Sequence, residues 1–261
     1  MSPGSGLPLG EGMRTSTSGL DGDGSNYPPL RARPAAKERD VRPKVLVSWS
    51  SGKDAAWVLH VLRQQAAVDV VGLLSVVSRG DDRVAMHAVR ERLLEAQAER
   101  AGLPLWRAPI PDPCSAEQYA AAMSRVVDEA RAAGVTQFAF GDLHLEDVRA
   151  AREQKLASTG LTPIFPLWGL PPAVLAREMV SAGLRAKLVS IDPRRLDRSF
   201  AGRAYDDVLL DALPADVDPC GERGEFHTFV HDGPMFSGPI PVANGAVSER
   251  DGYVYADLIP A

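Results

Sequence analysis

The chain has 261 residues, 45% of them apolar and 24% charged, with a formal net charge of −5, ordinary values for a globular enzyme. The acidic balance excludes a broad nucleic-acid-binding face, which needs clustered Lys and Arg, but leaves room for a local basic pocket. Two cysteines, Cys114 and Cys220, are too few for a disulfide framework or a Cys-built zinc site and fit a reducing, cytoplasmic setting.

Of the first 42 residues, 17 are Gly, Ser or Pro. Such a stretch buries too little surface to offset its ordering entropy, so a disordered tail is expected over 1–42. It has neither the apolar core of a secretory signal nor the acid-poor make-up of a transit peptide. No apolar run reaches the roughly 20 residues of a membrane span. From Lys44 the pattern alternates. "KVLVSW" predicts a strand, and the nearly all-apolar Ala55–Leu62 run predicts a buried helix. "VDVVGLLSVVS" is a second strand, after which Met86, Val89, Leu93 and Leu94 recur at helical spacing. "LPLWRAPI" gives a third strand; Tyr119, Met123, Val126 and Ala130 mark a helix ending at Gly134. "VTQFAFGD" is a fourth strand, a charged helix follows from about Leu145 to Ala157, and "LTPIFPLWG" opens a fifth strand. Beyond residue 170 come a helix in "PPAVLAREMVSAGL", a strand in "RAKLVSID" and an Asp-, Pro- and Gly-rich remainder, read as a smaller α+β lobe over the edge of the sheet. Strands alternating with helices imply an α/β fold, an open parallel Rossmann-like sheet with helices on both faces. Ligands bind such sheets at the carboxyl ends of the strands, near the switch point.

The first of those ends reads "SSGKDA", Ser50 to Ala55. Small residues between a strand and a helix leave backbone N–H groups that, with the helix dipole, form an anion site. Gly52 permits close approach, Ser50 and Ser51 add hydroxyls, Lys53 adds a mobile cation, and Asp54 suits the first helical turn. A Walker A loop would need Gly and Ser or Thr where Val47 and Asp54 stand, and no G-x-G-x-x-G is present here. A phosphate-bearing ligand is the expected guest.

The stretch resembles the S-G-G-x-D-S loop of the N-type ATP pyrophosphatases, the adenine nucleotide alpha hydrolases, with Ser51 and Ala55 replacing a Gly and a Ser. "FPLWG" at Phe165–Gly169, "SFAGRAYDD" at Ser199–Asp207 and "GERGEFHTFVHDGPMF" at Gly221–Phe236 resemble, in that order, the signature of the diphthine–ammonia ligase family. The resemblance implies an ATP-binding Rossmann-like domain over 43–169 and a substrate-side lobe over 170–261. It implies activation of a carboxylate by Mg2+-ATP, release of pyrophosphate, and replacement of the adenylate by ammonia. The acceptor would be a small carboxylic acid or a modified protein side chain, with neither DNA nor a membrane as partner. Ser50, Ser51, Gly52, Lys53, Asp54, Ser75, Gly141 and Asp142 are the expected nucleotide-binding residues. Lys53, Glu222 and Glu225 are the expected catalytic ones, the carboxylates orienting ammonia or taking its proton. Gly221, Gly224, His227 and Arg149 are expected at the substrate. Arg149 is equally spaced for an i,i+4 pair with Glu153, and His87 with Arg90 face either nucleotide or solvent. Cys220 and Trp168 are read as packed side chains. Two other functions stay open: an ATP-binding regulator that does not turn ATP over, to which Ser51 and Ala55 point, and a tRNA sulfur-transfer enzyme, against which the lack of a close cysteine pair argues.

Overall fold

A computed structural model of the chain describes residues 42–78 and 89–261. The expected tail, except Arg42, lies outside these residues, as do Met86 and His87. Among the described residues, no helix is long and apolar enough to cross a membrane. From residue 41 onward the chain forms one unit.

The elements run β1 Lys44–Ser48, α1 Lys53–Gln65, β2 Asp69–Ser78, α2 Glu91–Ala101, β3 Leu105–Ile110, α3 Ala116–Ala132, β4 Gln137–Ala139, α4 Glu146–Leu156 and β5 Thr162–Ile164. Then follow α5 Pro172–Ser181, β6 Arg185–Ile191, β7 Ala204–Tyr205, α6 Asp207–Ala212, β8 Phe226–Asp232, β9 Val242–Arg250 and β10 Tyr253–Pro260. Strands β1 to β5 form one all-parallel sheet in the order β3-β2-β1-β4-β5. The chain leaves β1 towards β2 and β3 and returns on its other side to β4 and β5, so the switch point lies between β1 and β4.

The two-residue period of β1 sets the layers. Val45 and Val47 join the core formed with α1 and α2, while Leu46 joins the core under α3 and α4. All three are 0% exposed; burying each contributes about 1.5–3 kcal/mol. This alternation covers both faces of the strand, as a doubly wound sheet requires.

The second lobe is an antiparallel sheet in the order β7-β6-β10-β9, with β8 also paired to β6. It does not merely cover the sheet's edge, as the sequence suggested. Leu188, Ile191, Phe226, Phe229 and Val254 belong to the same apolar cluster as Trp57, Leu59 and Leu93 of the α1/α2 layer, so the lobe continues the core of that face. Helix α1 meets β8 directly, and this contact brings the two candidate halves of the site together.

Candidate active site

The turn after β1 sits at the switch point. Trp49 donates its amide to Leu74 O (2.7 Å), carrying the ladder one residue past β1. Ser51 then takes φ of +71°, a left-handed conformation that disfavours any residue but Gly. It lets the chain turn into α1, whose N-cap, Gly52, has no side-chain cap. Gly141, at the end of β4, packs so tightly here that a Cβ would come within 3.1 Å of Asp54 and 3.2 Å of the Ala55 nitrogen. A larger residue there would have to push the start of α1 by a few tenths of an ångström.

The turn is welded to the second lobe. Lys53 N–H donates to Thr228 Oγ1 (3.1 Å), and Val230 N–H donates to Ser51 O (3.1 Å). The fully buried Gln97 amide donates to Ser51 O (3.0 Å) and Val230 O (2.7 Å) and accepts from the Trp49 indole (2.9 Å). Part of the amide cup expected for an anion is thus filled by the protein's own Thr228. Gly52 N–H faces Ser50 Oγ at 3.4 Å. By contrast, the buried Ser51 Oγ has no partner among the described residues. Such an atom is costly unless a ligand completes it.

Lys53 is not the mobile cation the sequence suggested. Its residue is 2% exposed, and its ammonium reaches under the turn to both Asp54 oxygens (3.0 and 2.9 Å) and to Cys220 O, over the rings of Tyr205 and Phe226. Burial pulls its pKa down, but Asp54, with Cys220 and Glu222, more than offsets this and the pKa stays above its ordinary value. The physical reason for the pinning is simple: a buried ammonium needs its donors satisfied, and the second lobe supplies the acceptor.

The two glutamates of "GERGEF" have different surroundings. Glu225 is 2% exposed, and its oxygens accept the amides of Asp218 (3.2 Å) and Arg223 (3.0 Å); it shapes the turn. Gly221 and Gly224 bend it at φ of +66° and +83°. Glu222 instead reaches across to the parallel sheet, accepting Leu143 N–H at 2.8 Å just past β4. Burial pushes its carboxyl up to about 7 against the Leu143 hydrogen bond, with help from Asp54 and Asp142. A carboxyl poised near neutrality beside an anion turn suits proton transfer.

The remaining expected residues spread out. Ser75 donates its hydroxyl to Trp49 O (2.6 Å) and so braces the turn. Asp142 is held by Arg152 (3.0 and 3.4 Å), itself stacked on Phe140. Arg149 pairs with Glu153 (2.8 Å) and lies over Phe165 and Trp168, the solvent-face alternative. Trp168, read as core, is only half-buried there because Leu167 takes the core position. Arg90 pairs with Asp257 on β10 (2.5 and 3.2 Å). His227 on β8 is pushed down to about 4 by burial, then by Lys53, and is neutral at physiological pH. Cys220 is buried, its thiol donating to Pro172 O (3.4 Å) and pushed up to about 12 by burial; it is inert.

Gln97, Thr228, Asp218 and His144 were not foreseen. Gln97 carried a signal, a lone amide on the Leu93–Leu94–Ala98–Ala101 stripe. Thr228, inside an apolar strand, carried none.

A doubly wound parallel sheet with a small-residue turn at its switch point defines a Rossmann-like protein. Two domain families match in chain order: the diphthamide synthase N-terminal domain over residues 43–163 and the diphthamide synthase C-terminal domain over 171–255. The chain belongs to that family. It is 28% identical over 200 residues to diphthine–ammonia ligase of Danio rerio, a match covering 64% of this chain and 76% of the relative. It is 32% identical over 95 residues to diphthine–ammonia ligase of Schizosaccharomyces pombe, covering 35% of this chain and 16% of that longer relative.

Proposed function

We propose that the chain is an ATP-dependent ligase that joins ammonia to a carboxylic acid, cleaving ATP to AMP and pyrophosphate through an acyl-adenylate. One observation carries the reading: Glu222, with a carboxyl near neutrality, is bonded to the backbone at the end of β4, beside the anion turn at the end of β1. In the first half-reaction, an acceptor carboxylate oxygen attacks the alpha phosphorus and pyrophosphate leaves. In the second, ammonia attacks the acyl carbon and AMP leaves. The N-terminus of α1 and the Ser51 hydroxyl would hold the leaving polyphosphate. Lys53 would offset its charge from below, and the ionised Glu222 would take the proton of the attacking nitrogen.

Among the described residues no group of three His, Cys, Asp or Glu could hold a metal ion. That fits magnesium, which takes most of its ligands from phosphates and water; Asp54 is the carboxylate the turn itself would offer it. Bound, the ion would neutralise charge on the polyphosphate. A small acid or a modified protein side chain serves equally as acceptor in this chemistry, and the cytoplasm is the expected setting.

The test is release of AMP and pyrophosphate with ammonia across a panel of carboxylic acids, comparing wild type with Glu222→Gln and Lys53→Ala. Both variants should lose most of the activity; if both match wild type, the site assignment falls. A second reading, an ATP-binding regulator without turnover, is favoured by the occupied Lys53 amide. It prevails if ATP binds and no acid elicits pyrophosphate.

A further inference from the structure

Beside Glu222 lies a cavity of about 470 Å3 whose walls include His144, Pro172, Val217, Asp218 and Arg223. His144 follows Leu143, whose amide holds Glu222. Asp218 opens the turn that carries Glu222. Its side chain is 4% exposed, yet only one oxygen is satisfied, Oδ1 accepting the Cys220 amide at 2.7 Å. Oδ2 faces His144 Nε2 at 3.7 Å, too far for a direct hydrogen bond and close enough for one small donor to touch both. Oδ2 accepts no hydrogen bond from the described residues and opens on the cavity, where a bound cation can reach it.

We infer that this pair is the seat of the ammonium ion, held between Asp218 Oδ2 and Nε2 of His144. The inference rests on the ligase reading above and names where its nitrogen substrate waits. Ammonium is a small cation with four N–H donors, so it satisfies the carboxylate by charge and hydrogen bond together. A quaternary ammonium of like charge has no N–H and does not. The cavity is far larger than one ammonium. The exposed Arg223 guanidinium on its wall suits the acceptor's carboxylate, so both partners of the new amide bond would meet in one cavity.

The test needs no knowledge of the acceptor. The full chain, labelled with nitrogen-15, is titrated at neutral pH with ammonium chloride and, separately, with tetramethylammonium chloride at equal ionic strength, and the signals of its five histidines are followed. His144 is assigned by its loss in His144→Gln. The expected result is a saturable shift of the His144 ring with ammonium alone, abolished in Asp218→Asn. The inference is overturned if both salts act alike, if neither moves the ring, or if the ring is doubly protonated and simply pairs with Asp218. Should Asp218→Asn fail to fold, His144→Gln supplies the second arm. With any acid that yields AMP, it should raise the KM for ammonium about tenfold, the value of a lost hydrogen bond to a charged group, without moving the KM for ATP. An unchanged KM for ammonium also sinks the seat. The ligase reading fails separately, by the lack of any acid-dependent pyrophosphate.

Discussion

The turn at Ser50–Asp54 and the turn at Asp218–Glu225 are built on opposite plans. The second satisfies its own amides with its own side chains, Glu225 taking the Asp218 and Arg223 amides and Asp218 the Cys220 amide, and offers carbonyls to Tyr205 and Lys53. The first leans on others, giving the Lys53 amide to Thr228, the Ser51 carbonyl to Val230 and Gln97, and the Lys53 ammonium to Cys220 O. A self-sufficient turn can aim one side chain outward, and Glu222 is aimed at Leu143. A dependent turn can change only when its neighbours change. The difference lies in where each turn finds its hydrogen-bond partners.

The sharpest break in that contrast is Glu222→Gln, expected to lower AMP formation by about 10²- to 10⁴-fold, the usual contribution of a positioned acid or base. Its pH signature is specific. The group sits at about 7 in the folded chain against an ordinary 4.5, so it costs nothing below 4.5, where both states are protonated. Stability then falls as pH rises from 4.5 towards 7 and stays lower above. Urea denaturation across that window should show the slope in wild type and lose it in the variant, while the rate of wild type climbs through neutrality.

Next in size is Lys53→Met, which leaves Asp54 without its cation and Cys220 O without its donor; a loss of about 3 kcal/mol in equilibrium unfolding is expected. Glu225→Gln should cost about 2 kcal/mol, because one of two buried amides loses a charged acceptor. If it proves neutral, the second turn is not self-supporting and the contrast dissolves. The smallest change is a gain. Ser51→Gly removes a left-handed serine and a buried hydroxyl without a partner, and should stabilise by about 1 kcal/mol. Calorimetry with ATP then tells whether that hydroxyl was kept for phosphate, since ATP binding should weaken as the melting temperature rises.

The parallel sheet could be read from the chain because its order is written locally: each apolar run is followed by its own helix, and β1 through β5 pair as that alternation dictates. The second lobe resisted, since β6 finds β7, β8 and β10 across long irregular connections with no period to follow. Within the site, composition pointed to an anion turn after β1, and the resemblance pointed to Glu222 and Glu225. Nothing in the residue types could separate the two glutamates. Their roles depend on which amides lie within 3 Å, a matter of tertiary approach. The fate of Lys53 was hidden likewise, for Cys220 O lies 167 residues away and a carbonyl leaves no mark in a sequence.

The joint made by Gln97, Thr228 and Cys220 O has a consequence for how this polypeptide can be inherited. A fragment ending near residue 169 would expose the face of α1 that β8 covers and strand a charged amine without its carbonyl. A fragment beginning there would lack the helix on which its own strands rest. Splitting the reading frame at the apparent seam should therefore yield two insoluble pieces, whereas appending another module to either end leaves the joint untouched.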